Sequence, residues 1–234
     1  MRFISVLICS ASFLFSLALA PATQPTGLTP DDFDFPSLLG QPPADGSPAQ
    51  QAEIRQIMAL QSSITRDDIA RCNREAEITP FIGFDPVLGP SFNAEELPKT
   101  AALLKEASAA YKPISKAAKN LFDRHRPFLD PRVKVFVPKE KTNSFPSGHA
   151  TQAAMWAAIL VEIFPDERDA LLARAREIGH DRILAGMHYP SDVAAGEKLG
   201  AEIARRLLAD DHFQADLSAA KVECANLAAH AAGH

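Results

Sequence analysis

The sequence predicts an all-α fold: a single-domain helical bundle packed around a central apolar helix. Helical periodicity dominates from residue 51 onward, and the alternation expected of half-buried strands is hard to find. Cap and breaker residues recur where helices of ordinary length should start and stop. The 234 residues suffice for one good-sized domain, and 47% hydrophobic with 23% charged residues excludes collagen-like, coiled-coil and largely disordered chains. Lysine and arginine number 24 against 29 acidic residues, a net charge of −5. With no basic surplus, nucleic-acid binding is not expected, and any phosphate affinity must come from a few placed cations.

Along the chain, Met1-Arg2 precedes an uncharged stretch from Phe3 to Ala20 that closes on Ala18-Leu19-Ala20. That pattern reads as a signal peptide over residues 1–22, cleaved after Ala20 or Ala22. It implies a periplasmic or secreted protein with no stable membrane span once cleaved. Residues 23–50 form a proline-rich lead, expected to be extended and irregular, and 51–234 form the helical domain. Ile54, Ile57, Met58 and Leu60 mark a first helix, and Thr65 caps a second that runs to about Arg74. Residues 79–91, with Pro80, Gly83, Pro86, Gly89 and Pro90, read as a loop. Asn93 with Glu96 resembles a capping box for a long helix through Leu103, Leu104 and Tyr111, which Pro113 should kink or split before Phe122. Residues 128–146 form a second loop. Ser147 to Phe164 is the most apolar helix, and Asp166–Ile183 and Ser191–Ala209 complete the set. The alanine-rich end, with His230 and His234, reads as a frayed tail. Cys9 departs with the signal. Cys72 and Cys224 remain as an even pair for an oxidising compartment, either a disulfide or two buried thiols.

Three separated segments carry the chemistry. Lys119 and Arg126 are seven residues apart, nearly two helical turns, which puts both cations on one face of one helix. In Pro146-Ser147-Gly148-His149, Ser147 is a natural N-cap and Gly148 lets a ligand approach the backbone. The unpaired amides of the following first turn favour an anion, with His149 standing over it. In the third segment Gly186 ends a helix, His188 lies on the next loop, and Asp192 sits in the first turn of a new helix. A carboxylate four residues after a histidine can accept its Nδ1 proton and leave Nε2 with a free lone pair, as a nucleophile requires.

In this order the motifs resemble the signature of the type-2 phosphatidic acid phosphatase superfamily: Lys-x6-Arg-Pro, Pro-Ser-Gly-His, and Ser-Arg-x5-His-x3-Asp. The soluble secreted branch, the class A bacterial non-specific acid phosphatases, is the most similar. One residue departs from the pattern: Asp181 stands where the family has serine.

The resemblance implies an acid phosphatase that hydrolyses a broad range of phosphate monoesters without a metal or other cofactor. Lys119, Arg126 and Arg182 would clamp the phosphate oxygens with the Ser147 and Gly148 amides. His188 would form a phosphohistidine, Asp192 would fix its tautomer, and His149 would protonate the leaving oxygen. Vanadate or phosphate would bind as an inhibitor, and phosphorylated small molecules are the expected partners. A homo-oligomer fits the resemblance too. The two histidine roles need opposite protonation states, so imidazoles displaced to either side of their usual pKa should give an optimum at about pH 5–7. Two alternatives share the motifs: a vanadium-dependent haloperoxidase-like enzyme and a non-catalytic phosphate-binding protein.

Overall fold

The computed structural model describes residues 27–232, and among these there are helices and no strands. The signal segment and His234 lie outside the described residues. The helices are α1 (Phe35–Leu39), α2 (Pro48–Ser62), α3 (Arg66–Arg74), α4 (Pro80–Leu88), α5 (Pro98–Phe122), α6 (Gly148–Ile163), α7 (Arg168–Leu184), α8 (Pro190–Leu207) and α9 (Asp211–Ala232). Helix α6 packs against α4, α5, α7, α8 and α9. Its Ala153, Met155, Trp156, Ala157, Ile159 and Leu160 are all buried, so apolar side chains all around the helix find neighbours. No helix among the described residues is long and apolar enough to cross a membrane.

Several boundaries differ from those read off the sequence, each for a physical reason. The proline-rich lead contributes to the core: Phe33, Phe35 and Leu39 are buried, and the Arg206 guanidinium lies 4.7 Å from the Phe33 ring centre. Residues 80–88 are helical and not a loop. Thr79 accepts from the Ile82 amide, and Pro80 occupies the first turn, where its missing N–H costs nothing. Pro86 deprives the Ile82 carbonyl of its helical donor, and Arg74 Nη2 donates to that oxygen instead at 3.2 Å. Asn93 caps only a single turn, accepting from the Glu95 and Glu96 amides. The long helix α5 starts at Pro98, and its first free amides, Lys99 and Thr100, donate to Glu223 of α9 at 2.8 and 2.9 Å. Pro113 sits inside α5 without ending it. The C-terminal segment is a helix to Ala232 and not a frayed tail.

The possible disulfide is absent. Cys72 and Cys224 are both free and buried. Cys72 lies in a cluster with Leu184 and Met187, and Cys224 belongs to the main core. Burial, and then Asp181, push the Cys72 thiol up to about 12.

Glycines bring α6 and α8 into close contact. A Cβ at Gly200 would lie 2.2 Å from the Thr151 carbonyl oxygen, and one at Gly196 would lie 2.6 Å from the Ser147 carbonyl oxygen. These atoms belong to backbone, which cannot rotate away. Gly200→Ala is therefore expected to destabilise the protein by about 3 kcal/mol, the upper part of the overpacking range. A fall in the urea midpoint at unchanged slope checks this; a midpoint equal to the wild type refutes it.

Candidate active site

The site lies where the end of α5, the start of α6, the end of α7 and the start of α8 meet the 127–147 segment. Lys119 is in the last turn of α5 and is buried. Its Nζ donates to the Asn143 carbonyl at 2.6 Å. The helix then ends on Asp123 in the left-handed region, φ 46°. Asn143 pins the loop back onto this end, donating from Nδ2 to the Lys119 carbonyl and to Asp123 Oδ1.

Arg126 is not on the helix that bears Lys119. It is extended, φ −76° and ψ 146°, because Pro127 disfavours the helical region for its predecessor. The guanidinium is buried and saturated. Nε donates to the Thr142 carbonyl at 2.9 Å, and Nη1 donates to the Met187 carbonyl at 2.9 Å. Nη2 donates to Glu140 Oε2 at 2.6 Å and to Thr142 Oγ1 at 3.0 Å.

His188 sits on the turn between α7 and α8. Gly186 permits that turn with φ +74°, and a Cβ there would lie 2.1 Å from the Lys134 carbonyl. Arg126 Nη1 lies 2.9 Å from His188 Nε2. A guanidinium has no acceptor, so Nε2 must carry the lone pair and the proton sits on Nδ1. That nitrogen is 3.4 Å from Asp192 Oδ2, too long and misdirected for a good hydrogen bond here. Asp192 is instead held by Arg124 Nη1 at 2.6 Å, Ser144 Oγ at 2.6 Å and the Tyr189 amide at 2.8 Å. Burial, and then Arg126 and Lys119, keep His188 well below its ordinary pKa.

His149, in the first turn of α6, has the opposite tautomer. Its Nε2 lies 3.0 Å from the Glu75 carbonyl and 3.3 Å from that of Ala76. Carbonyls only accept, so the proton is on Nε2 and Nδ1 faces the site, 3.9 Å from Glu140 Oε1. The sequence reading placed the two imidazoles on opposite sides of their usual pKa, and here both are lowered. Burial, and then Arg182, push His149 down to about 4 despite the nearby Glu140.

Arg182, at the end of α7, donates from Nη2 to Glu140 Oε1 at 2.9 Å, while its buried Nε and Nη1 have no partner among the described residues. Ser147 caps α6, its Oγ accepting from the Ala150 amide at 3.4 Å. Its own amide donates to the Asp192 carbonyl at 2.9 Å, so it is not available to an anion. The Gly148 and His149 amides remain the candidates, since first-turn amides have no acceptor within their own helix. A Cβ at Gly148 would lie 2.9 Å from the Tyr111 hydroxyl. Asp181 turns away from the cluster: Arg71 donates to it from Nε and Nη2 at 2.6 and 2.8 Å. The cleft above opens into a cavity of about 680 Å3 bordered by Tyr111, Lys119, Glu140, Gly148 and His149.

Every residue singled out for phosphate or for catalysis converges here. Glu140, Arg124, Ser144 and Arg71 were missed. A lone glutamate between two lysines in a loop, and a second arginine two positions before Arg126, were the available signals. Neither marks a direction in space.

Residues 102–216 match the family described as the PAP2 superfamily. An acid phosphatase from Zymomonas mobilis is 30% identical over 194 residues, covering 79% of this chain and 73% of that protein. A non-specific acid phosphatase from Salmonella typhimurium is 32% identical over 147 residues, 60% of this chain and 58% of its own length. The chain thus spans less than two thirds of the Salmonella protein. The crystal structure of a transmembrane PAP2 type phosphatidylglycerolphosphate phosphatase from Bacillus subtilis superposes with a TM-score of 0.52 at 20% identity, covering 74% of this chain and 89% of that one. At that identity the likeness shows the fold. On these matches, and on the three motifs that meet in one place, the chain belongs to the PAP2 superfamily.

Proposed function

We propose that the protein is an exported acid phosphatase that hydrolyses small phosphate monoesters through a phosphohistidine, with no metal ion. The observation that carries this reading is the 2.9 Å contact from Arg126 Nη1 to His188 Nε2. It places the lone pair of an ordered, neutral imidazole beside a cation that can hold the phosphoryl oxygens.

In this scheme Arg126, Arg182 and Lys119 take the phosphoryl oxygens, joined by the first-turn amides of α6. Charge-assisted hydrogen bonds of roughly 1.5–3 kcal/mol each supply the neutralisation that phosphoryl transfer needs. Nε2 of His188 attacks phosphorus as the bond to the ester oxygen breaks, and Asp192 stabilises the charge that develops on the imidazole. His149 gives the leaving oxygen a proton from Nδ1, then takes one from the water that cleaves the phosphohistidine and releases phosphate. His149 is neutral above about pH 4 when the site is empty. The proton therefore enters with the ester, either on its own oxygen or on His149 once a phosphoryl dianion lies beside it. Vanadate, which resembles the pentacoordinate phosphoryl group, should inhibit.

Burial, and then Arg126, push Lys119 down to about 7. Because the cation is the protonated form, it is lost as pH rises through about 7, and ester binding weakens with it. The expected result is a kcat/KM for a chromogenic phosphomonoester that falls above pH 7, unchanged by EDTA. Lys119→Arg should move that alkaline limb upward, since a guanidinium does not titrate there. A profile flat from pH 5 to 9, or activity lost to chelator, refutes the scheme.

A further inference from the structure

Only part of the phosphate clamp borders the open cavity. Lys119, Glu140, Gly148 and His149 border the cavity, whereas Arg126, Arg182 and His188 do not. Those three residues are only 4%, 1% and 1% exposed. Glu140 connects the two regions: its side chain is 31% exposed, and its carboxylate bonds both guanidiniums, Oε2 to Arg126 at 2.6 Å and Oε1 to Arg182 at 2.9 Å. His149 Nδ1 lies 3.9 Å from Oε1. The two guanidiniums are groups to which the proposed function assigns the phosphoryl oxygens.

A phosphoryl group and the Glu140 carboxylate therefore compete for the same donors and carry the same sign of charge. They cannot share the clamp. The carboxylate also fills it incompletely, since Arg182 Nε and Nη1 stay buried without an acceptor among the described residues. A phosphoryl group brings a third oxygen and more charge. Without any anion, two buried guanidiniums and Lys119 would face one another uncompensated, a costly arrangement. The groups facing Glu140 are Arg126, Arg182, Lys119, His149, His188 and the Thr142 hydroxyl. Burial alone would raise its carboxyl, but Arg126, with Arg182 beside it, holds it well below the usual carboxylate range. Mild acid does not release it; a competing anion must.

We infer that Glu140 is an internal occupant of the phosphate site, a carboxylate on the loop before α6 that fills the clamp in the empty enzyme. Substrate must displace it to reach His188, so this residue sets the affinity for the phosphoryl group. The inference rests on the phosphate site proposed above. The backbone around it is tied down through the Thr142 and Asn143 carbonyls, so displacement is a swing of the side chain.

Titration calorimetry with inorganic phosphate on wild type, Glu140→Gln and Glu140→Ala tests it. If the occupied state holds about nine molecules in ten, Glu140→Ala should bind phosphate about tenfold more tightly, with Glu140→Gln between. Glu140→Ala should also melt at lower temperature without phosphate, and phosphate should raise its melting point more than that of the wild type. Phosphate binding to the wild type with no gain in either variant overturns the inference and leaves the phosphatase reading standing. No phosphate binding by any of the three overturns both. Should the variants not fold, a crystal structure of the wild type with phosphate decides. The inference expects phosphate oxygens on Arg126 and Arg182 with Glu140 released, and a carboxylate still bonded to both guanidiniums overturns it.

Discussion

His188→Ala is expected to lower kcat for a chromogenic phosphomonoester by about 10^4-fold or more, because in the proposed scheme it removes the atom that bonds phosphorus. What remains should be the electrostatic contribution of the cations alone. The variant should fold, since Arg126 keeps the Met187 carbonyl at 2.9 Å and the Thr142 carbonyl at 2.9 Å when the imidazole is gone. Inorganic phosphate should still raise its melting temperature. The wild-type enzyme, quenched in alkali during turnover, should carry acid-labile phosphate on protein, and the variant should carry none. A variant that keeps a tenth of the activity would remove His188 from the reaction and end the phosphohistidine scheme.

Arg126→Ala should produce the second large loss. Two charge-assisted bonds of roughly 1.5–3 kcal/mol each to the transferring group correspond to a fall in kcat/KM of about 10^2- to 10^4-fold. This side chain has a second task. It ties the 140–142 segment to the His188 turn, bonding Thr142, Met187 and Glu140 at once. Its removal should therefore lower thermal stability as well. Arg126→Lys should restore little, because one ammonium cannot span three directions in a plane. A kcat/KM within a few fold of wild type in both variants would place the phosphate elsewhere.

The residues that converge at the candidate site were legible because their motifs are local. Pro-Ser-Gly-His encodes a cap, a glycine and a first-turn histidine within four residues, and α6 starts there. Gly186 likewise marks the end of α7, and its positive φ turns the chain toward His188. Readings failed where the deciding atom came from elsewhere in the chain. Pro86 looks like a helix breaker until Arg74 supplies the donor for the orphaned Ile82 carbonyl. Asn93 looks like the cap of a long helix, but Glu223 of α9 takes the amides at the true start of α5. Lys119 and Arg126 have helical spacing, yet the chain leaves the helix at Asp123, so they meet through the loop and not along a face.

By itself the sequence determined the helical class and the three motifs that meet at the candidate site, because caps, breakers and periodicity act within a few residues. Only the tertiary structure decided which protons the imidazoles carry, since Arg126 fixes one tautomer and the Glu75 carbonyl fixes the other. It alone decided that Asp181 pairs with Arg71, that the cysteines stay apart, and that Glu140 enters the clamp. These outcomes depend on distances between segments that are separated in the chain, as Arg71 and Asp181 are by 110 residues. Hydrogen bonds and charges respond to separation in space, and linear spacing does not record it.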